Sequence, residues 1–167
     1  MTDTNSSQSL LSDHTRHEID EWLQKYPADK KRSAVLAALR AAQHQNEGFL
    51  TTQLMDAVAE YLELPKIQVY EVATFYSMFE TKPVGRHCVA ICTNISCMLM
   101  GSDSVVSYVE RKLGIKVGES TPDGRIFLKP EEECLAACAA GPMMQVDHVY
   151  HEKLTPEKID KILDGLK

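Results

Sequence analysis

The 167-residue chain has no apolar run approaching the ~18 residues that a membrane-spanning helix needs. It also has no excess of positive charge. Its 18 Lys and Arg stand against 24 Asp and Glu, a net charge of −6, which speaks against a nucleic-acid partner, because that surface calls for a basic face. No two of its eight glycines are two residues apart, so there is no G-x-G-x-x-G dinucleotide loop, and no P-loop is present either. No C-x-x-C pair exists, which a thioredoxin-type dithiol would require. The opening stretch, MTDTNSSQSLLSDHTRHEIDEW, lacks an apolar core behind basic residues and is too acidic for a transit peptide. A cytoplasmic chain with no direct membrane insertion is expected. Without a secretory signal, the five cysteines are not expected to form a disulfide framework.

What is present is ordinary globular material: 44% apolar and 25% charged residues. A disordered N-terminus is expected over 1–14 and a helical domain over 15–80. Thr15 and Glu18 read as a capping box for a helix from about Thr15 to Tyr26. Asp29 reads as the cap of a second helix, Lys31 to His44, and Thr51 and Thr52 open a third. Pro65 stands at the first position of a fourth. In that fourth helix Val72, Phe75, Tyr76 and Phe79 recur at helical spacing and read as bundle core.

Residues 81–86, TKPVGR, punctuate the change to a second domain expected over 87–167. HCVAIC (87–92) reads as a buried strand, and Ser102 to Leu113 as a helix with Gly114 as its C′ residue. A short strand over Ile115 to Val117, a turn at Pro122-Asp123-Gly124 and a strand over Arg125 to Leu128 follow. Met143 to Val146 and His148 to Tyr150 pair as a hairpin, and Thr155-Pro156 starts a final helix. The fold class is therefore mixed α+β or α/β: a helical bundle, then a β-α-β-β-β-α layer.

The chemistry lies in two cysteine pairs, Cys92-x4-Cys97 and Cys134-x3-Cys138, each in a loop after a strand. Loops held by a rigid sheet are where binding residues concentrate. Four converging thiolates repel one another unless a cation core neutralises them. One zinc ion in an interaction module and one [2Fe-2S] cluster both take four cysteines. The loose spacings fit the larger core better, and zinc stays open. Cys88 forms a competing x3 pair with Cys92, but a mid-strand side chain is poorly placed to reach a cluster. His14, His17, His148 and His151 read as solvated surface residues, and His87 as an unneeded fifth donor.

The segments HCVAICTNISCMLMGSDS, LGIKVGESTPDGR, EECLAACAAGPMMQVD and LTPEKID, with VYEVATFYSMF in the helical half, resemble the [2Fe-2S] subunit of NADH:quinone oxidoreductase, respiratory complex I. The resemblance runs from about Ile19 to the end of the chain. It implies a helical bundle followed by a thioredoxin-like [2Fe-2S] ferredoxin domain, with Cys92, Cys97, Cys134 and Cys138 as cluster ligands and Cys88 outside the set. It implies an electron-transfer subunit whose flavoprotein partner carries FMN and binds NADH, so that neither is expected on this chain. Other peripheral-arm subunits, and a place on the cytoplasmic side of the inner membrane, are implied with it. Related subunits of soluble NAD-linked hydrogenases and formate dehydrogenases are the alternative. Two residues depart from the family pattern: Ala136 stands where a glycine is usual, and Met100 where a basic residue is common. The acidic balance and the Glu131–Glu133 run lead to an expected low reduction potential, nearer the roughly −400 mV of plant-type clusters than the Rieske range.

Overall fold

The computed structural model describes residues 10–130 and 134–167. The chain divides into two compact units, Met1–Pro83 and Val84–Lys167. The expected disorder over 1–14 fails for its last residues, because Leu11 is fully buried and Ser12 caps the first helix. Residues 1–9 lie outside the described residues, as does the Glu131–Glu133 run.

The first unit holds four helices among its described residues: α1 (Asp13–Leu23), α2 (Val35–Gln45), α3 (Thr52–Tyr61) and α4 (Lys66–Phe75). Ser12, three residues ahead of the expected cap, accepts the Thr15 amide proton and satisfies one free donor of α1. Thr15 is instead buried and donates its hydroxyl proton to Gln45 Oε1 at 2.8 Å. The same oxygen accepts from the Ser12 amide, and Gln45 Nε2 donates to the Leu10 carbonyl, so the end of α2 fixes the start of α1. Asp29 does not cap the second helix. A 3-10 turn, Lys31–Ala34, precedes α2 without a side-chain cap. Ala38, Ala41 and Ala42 of α2 are all buried, so the helix approaches closely and its Leu39 shares a core with Leu50, Val58, Leu62 and Val69.

The aromatic stripe of the fourth helix breaks where sequence periodicity carried it on. Helix α4 ends at Phe75 and Tyr76 is already extended, at φ −87° and ψ 125°. Phe79 is buried, but Phe75 is 79% exposed, and Ile67 and Met78 also face solvent. The segment after α4 is held elsewhere: Gln43 donates to the Met78 carbonyl and accepts from the Glu80 amide.

The second unit is built on a four-stranded sheet in the order β2-β1-β3-β4. Strands β1 (His87–Ile91) and β2 (Ile126–Lys129) are parallel, so the chain must cross over between them, and α6 (Ser102–Leu113) lies in that crossover. Strands β3 (Met144–Val146) and β4 (Val149–His151) form the antiparallel hairpin, with β3 antiparallel to β1. The alternating set Val89, Ile91, Ile126, Leu128, Met144 and Val146 shares a core with Val105 and Val109 of α6. Ile159 and Leu163 of α7 (Pro156–Gly165) join the same core, and Tyr108 and Lys112 of α6 bond Asp160 of α7 at its edge. Thr155 caps α7 and Gly114, at φ +68°, closes α6. No strand forms over Ile115 to Val117; Ser120 alone bridges to Phe127. Among the described residues no helix is long and apolar enough to cross a membrane.

His87 is spoken for within this unit. Its ring nitrogens lie 2.9 Å from Asp147 Oδ2 and 2.9 Å from the Lys167 main-chain oxygen. The second Asp147 oxygen accepts the Cys88 amide proton at 2.9 Å. The Asp147 hydrogen bond raises the His87 pKa above its usual value, burial opposes it, and the Lys167 oxygen adds to it. A raised folded-state value means this stabilisation is complete below about pH 6.5 and fades as pH climbs through the folded value. Asp147 is half-exposed, so the effect stays under about 1 kcal/mol. Urea unfolding of the parent and of His87→Gln should show the parent's advantage shrinking from pH 5.5 to pH 8.5; an advantage growing with pH would contradict this reading.

Candidate metal centre

The end of β1 delivers the first thiol. Cys92 directly follows the strand, its amide donates to the Met143 carbonyl at 3.1 Å, and its side chain is 1% exposed. The chain then makes a short helix, α5 (Ile95–Leu99), where a plain loop was expected, and Cys97 sits on its inner side at 2% exposure. Cys92, Cys97 and Met143 form one small buried cluster, with Leu135 and Ala137 against it. Burial pushes the Cys97 thiol up to about 11, and the adjoining Cys92 thiol, then Cys138, push in the same direction. Deprotonating Cys97 in this buried apolar setting therefore calls for a cation, since a thiol that coordinates a metal loses its proton.

The second pair lies on the open side. Cys134 and Cys138 are exposed, and their sulfurs are 3.4 Å apart. Cys138 starts a 3-10 turn, Cys138–Ala140. The amides of Lys153 and Leu154 hold this loop by donating to the carbonyls of Ala140 and Pro142. The thiols thus come as two pairs, Cys92 with Cys97 and Cys134 with Cys138, and the loop of the second pair reaches the first through Leu135, Ala137 and Gly141. Among the described residues no three His, Cys, Asp or Glu side chains gather around a single point suited to one metal ion.

Gly141 shows how tightly the backbone crosses the site. A Cβ there would lie 2.9 Å from Met100 Sδ and 3.2 Å from Cys97 Sγ. The donor set, four thiols in two pairs, fits a two-iron core that takes two cysteines per iron. Such a cluster supplies a one-electron carrier. Neither Gly141 nor Met143 stood out from the sequence, although the Gly-Pro step just after the second pair marks a sharp turn there.

Ala136 also gains a meaning. Its φ is +61°, the left-handed region, and its amide donates to Cys134 Sγ at 3.3 Å. A non-glycine residue costs roughly 1–2 kcal/mol there. Ala136→Gly should therefore raise the thermal midpoint of the Val84–Lys167 unit, in the cluster-free chain, by about 4–8 °C, the equivalent of about 1 kcal/mol; a lowered midpoint would show that the loop draws on the alanine methyl. Cys88, by contrast, is fixed in mid-strand opposite Phe127, with its backbone bonded on both sides to Asp147. Ser102 does not cap α6: Gly101, at φ +93°, occupies that position, and the buried Ser102 hydroxyl has no hydrogen-bond partner among the described residues.

The sequence model of the family described as thioredoxin-like [2Fe-2S] ferredoxin matches residues 19–167. The chain is 45% identical over 148 residues to the E-type subunit of NADH-quinone oxidoreductase from Rickettsia bellii, covering 89% of this chain and 88% of that one. It is 41% identical over 152 residues to the second E-type subunit of NADH-quinone oxidoreductase from Rhizobium meliloti, covering 91% and 88%. Among solved structures, the air-oxidised NAD+-reducing [NiFe]-hydrogenase superposes with a TM-score of 0.64 at 21% identity. That match spans 75% of this chain but 22% of the hydrogenase chain, and it shows a shared fold. The family model over residues 19–167 and the relatives at 45% and 41% identity show that this chain belongs to the thioredoxin-like [2Fe-2S] ferredoxin family.

Proposed function

We propose that Cys92, Cys97, Cys134 and Cys138 hold one [2Fe-2S] cluster and that the chain works as the [2Fe-2S] electron-transfer subunit of an NADH-quinone oxidoreductase. In that role it exchanges single electrons with FMN on a flavoprotein partner, which also binds NADH. The observation that carries this reading is the packing of the second pair's loop against the first pair: Leu135 and Ala137 lie on the buried Cys92–Cys97 cluster, and Gly141 crosses beside Cys97 Sγ. The buried pair keeps water from one side of the site, and the exposed pair leaves the other side open to a partner. Beside Cys97, the α5 region exposes Ile95 at 71% and Leu99 at 78%, together with Met98 and Met100. Apolar groups clustered in this way on a surface mark a contact site, and they stand where an electron would cross. Within such an assembly the chain is peripheral, and we place it on the cytoplasmic side, held through its partner subunits.

Purification of the tagged chain from its own cells tests the assembly. The expected partners are an FMN-bearing flavoprotein and membrane-bound subunits, and any bleaching of the cluster by NADH should require the flavoprotein. Isolation with hydrogenase or formate dehydrogenase subunits would keep the cluster and overturn the quinone-linked assembly. Bleaching of the isolated chain by NADH alone would contradict the division of labour.

A further inference from the structure

We infer that Cys134 and Cys138 are also a modification site: with no cluster bound, they close into an intramolecular disulfide by exchange with a low-molecular-weight disulfide, while Cys92 and Cys97 stay reduced. This role is separate from electron transfer and stands on the asymmetry between the two pairs. The sulfurs of Cys134 and Cys138 are 3.4 Å apart and exposed. A disulfide needs them at about 2.05 Å, a small closure for a loop with three residues between them. Cys92 and Cys97 are also adjoining, but at 1% and 2% exposure under Met143, Leu135 and Ala137 they offer an incoming disulfide no line of attack. Cys88 is held in the β1 register, away from either pair's loop.

The chemistry balances with glutathione disulfide as oxidant. One thiolate of the pair attacks a glutathione sulfur, the glutathione S–S bond breaks, and one glutathione thiolate leaves. The neighbouring thiol then displaces the second glutathione from the mixed disulfide. The protein loses two electrons and two protons; glutathione disulfide gains the electrons, and its two thiolates take up the protons. The bridge shields the open half of the ligand set from the irreversible sulfinic and sulfonic steps, and reduction restores it before a cluster is built.

The test uses the full-length chain stripped of metal, incubated folded with glutathione disulfide, then quenched in acid, unfolded in denaturant, alkylated and peptide-mapped. Alkylatable thiols should fall from five to three per chain, with one linked peptide joining Cys134 to Cys138, and dithiothreitol should return all five. In Cys138→Ser the same treatment should leave a stable glutathione adduct on Cys134. Five thiols persisting in the parent, an unresolved adduct in the parent, or a bridge to Cys88, Cys92 or Cys97 would overturn the inference. Iron and sulfide content of unstripped protein is a separate measurement, so a failure of the cluster reading would be seen independently.

Discussion

Cys97→Ser should strip the chain of most of its iron, whereas Cys88→Ser should leave iron content and visible spectrum nearly unchanged. Cys97 lies in the buried half of the site, against Cys92 and within electrostatic reach of Cys138. A serine oxygen in its place is a shorter and harder donor in a pocket shaped for sulfur. Loss of even an outer-shell partner costs roughly 10–100-fold in metal affinity, so loss of a direct ligand should weaken cluster binding by at least about tenfold, read as iron lost during purification. Cys88 sits in mid-strand, with the ladder holding it opposite Phe127. Iron analysis of the two variants, purified side by side without oxygen, decides the matter. Iron lost in Cys88→Ser and retained in Cys97→Ser would reverse the ligand assignment.

Gly85→Ala should destabilise the cluster-bearing unit by about 3 kcal/mol, at the upper end of what overpacking usually costs. A methyl there would lie 2.5 Å from the Ile126 carbonyl carbon, 2.6 Å from the Phe127 amide nitrogen and 2.8 Å from the Ile126 oxygen. These are backbone atoms of β2, which no rotamer change can move aside. The Gly85 amide also donates to Ser120 Oγ at 3.0 Å, so a retreat of residue 85 would break that bond as well. For a unit of this size the expected drop is about 12–24 °C in the transition that carries the cluster absorbance. An unchanged midpoint would mean that the segment entering β1 is free to shift, which the close packing denies.

Much of this architecture could be read from the residues, because several local signals agreed with one another. Gly114 and Thr155-Pro156 each pair a backbone demand with the residue that meets it, and the hairpin is legible with its second strand placed one residue early, at His148 instead of Val149. The two cysteine pairs stood out by spacing, and what brought them forward was loop position after a strand. The misses share a cause: tertiary contacts override local pattern. Phe75 keeps helical spacing with Phe79, yet the helix ends between them and Gln43 captures the chain that follows. Thr15 matches a capping box but is drawn inward by Gln45, which leaves the cap to Ser12. The closeness of Gly141 to Cys97 and the double use of Asp147 by His87 and Cys88 depend on segments far apart in sequence. No periodicity within either segment encodes them.

Iron and acid-labile sulfide assayed on anaerobically purified full-length chain bear most directly on whether the paired thiols hold a redox core. About two irons and two sulfides per chain should be found, with a red-brown absorbance that dithionite bleaches. One equivalent of zinc per chain, with neither iron nor sulfide and no visible absorbance, would show instead that the four thiols fix a structural ion.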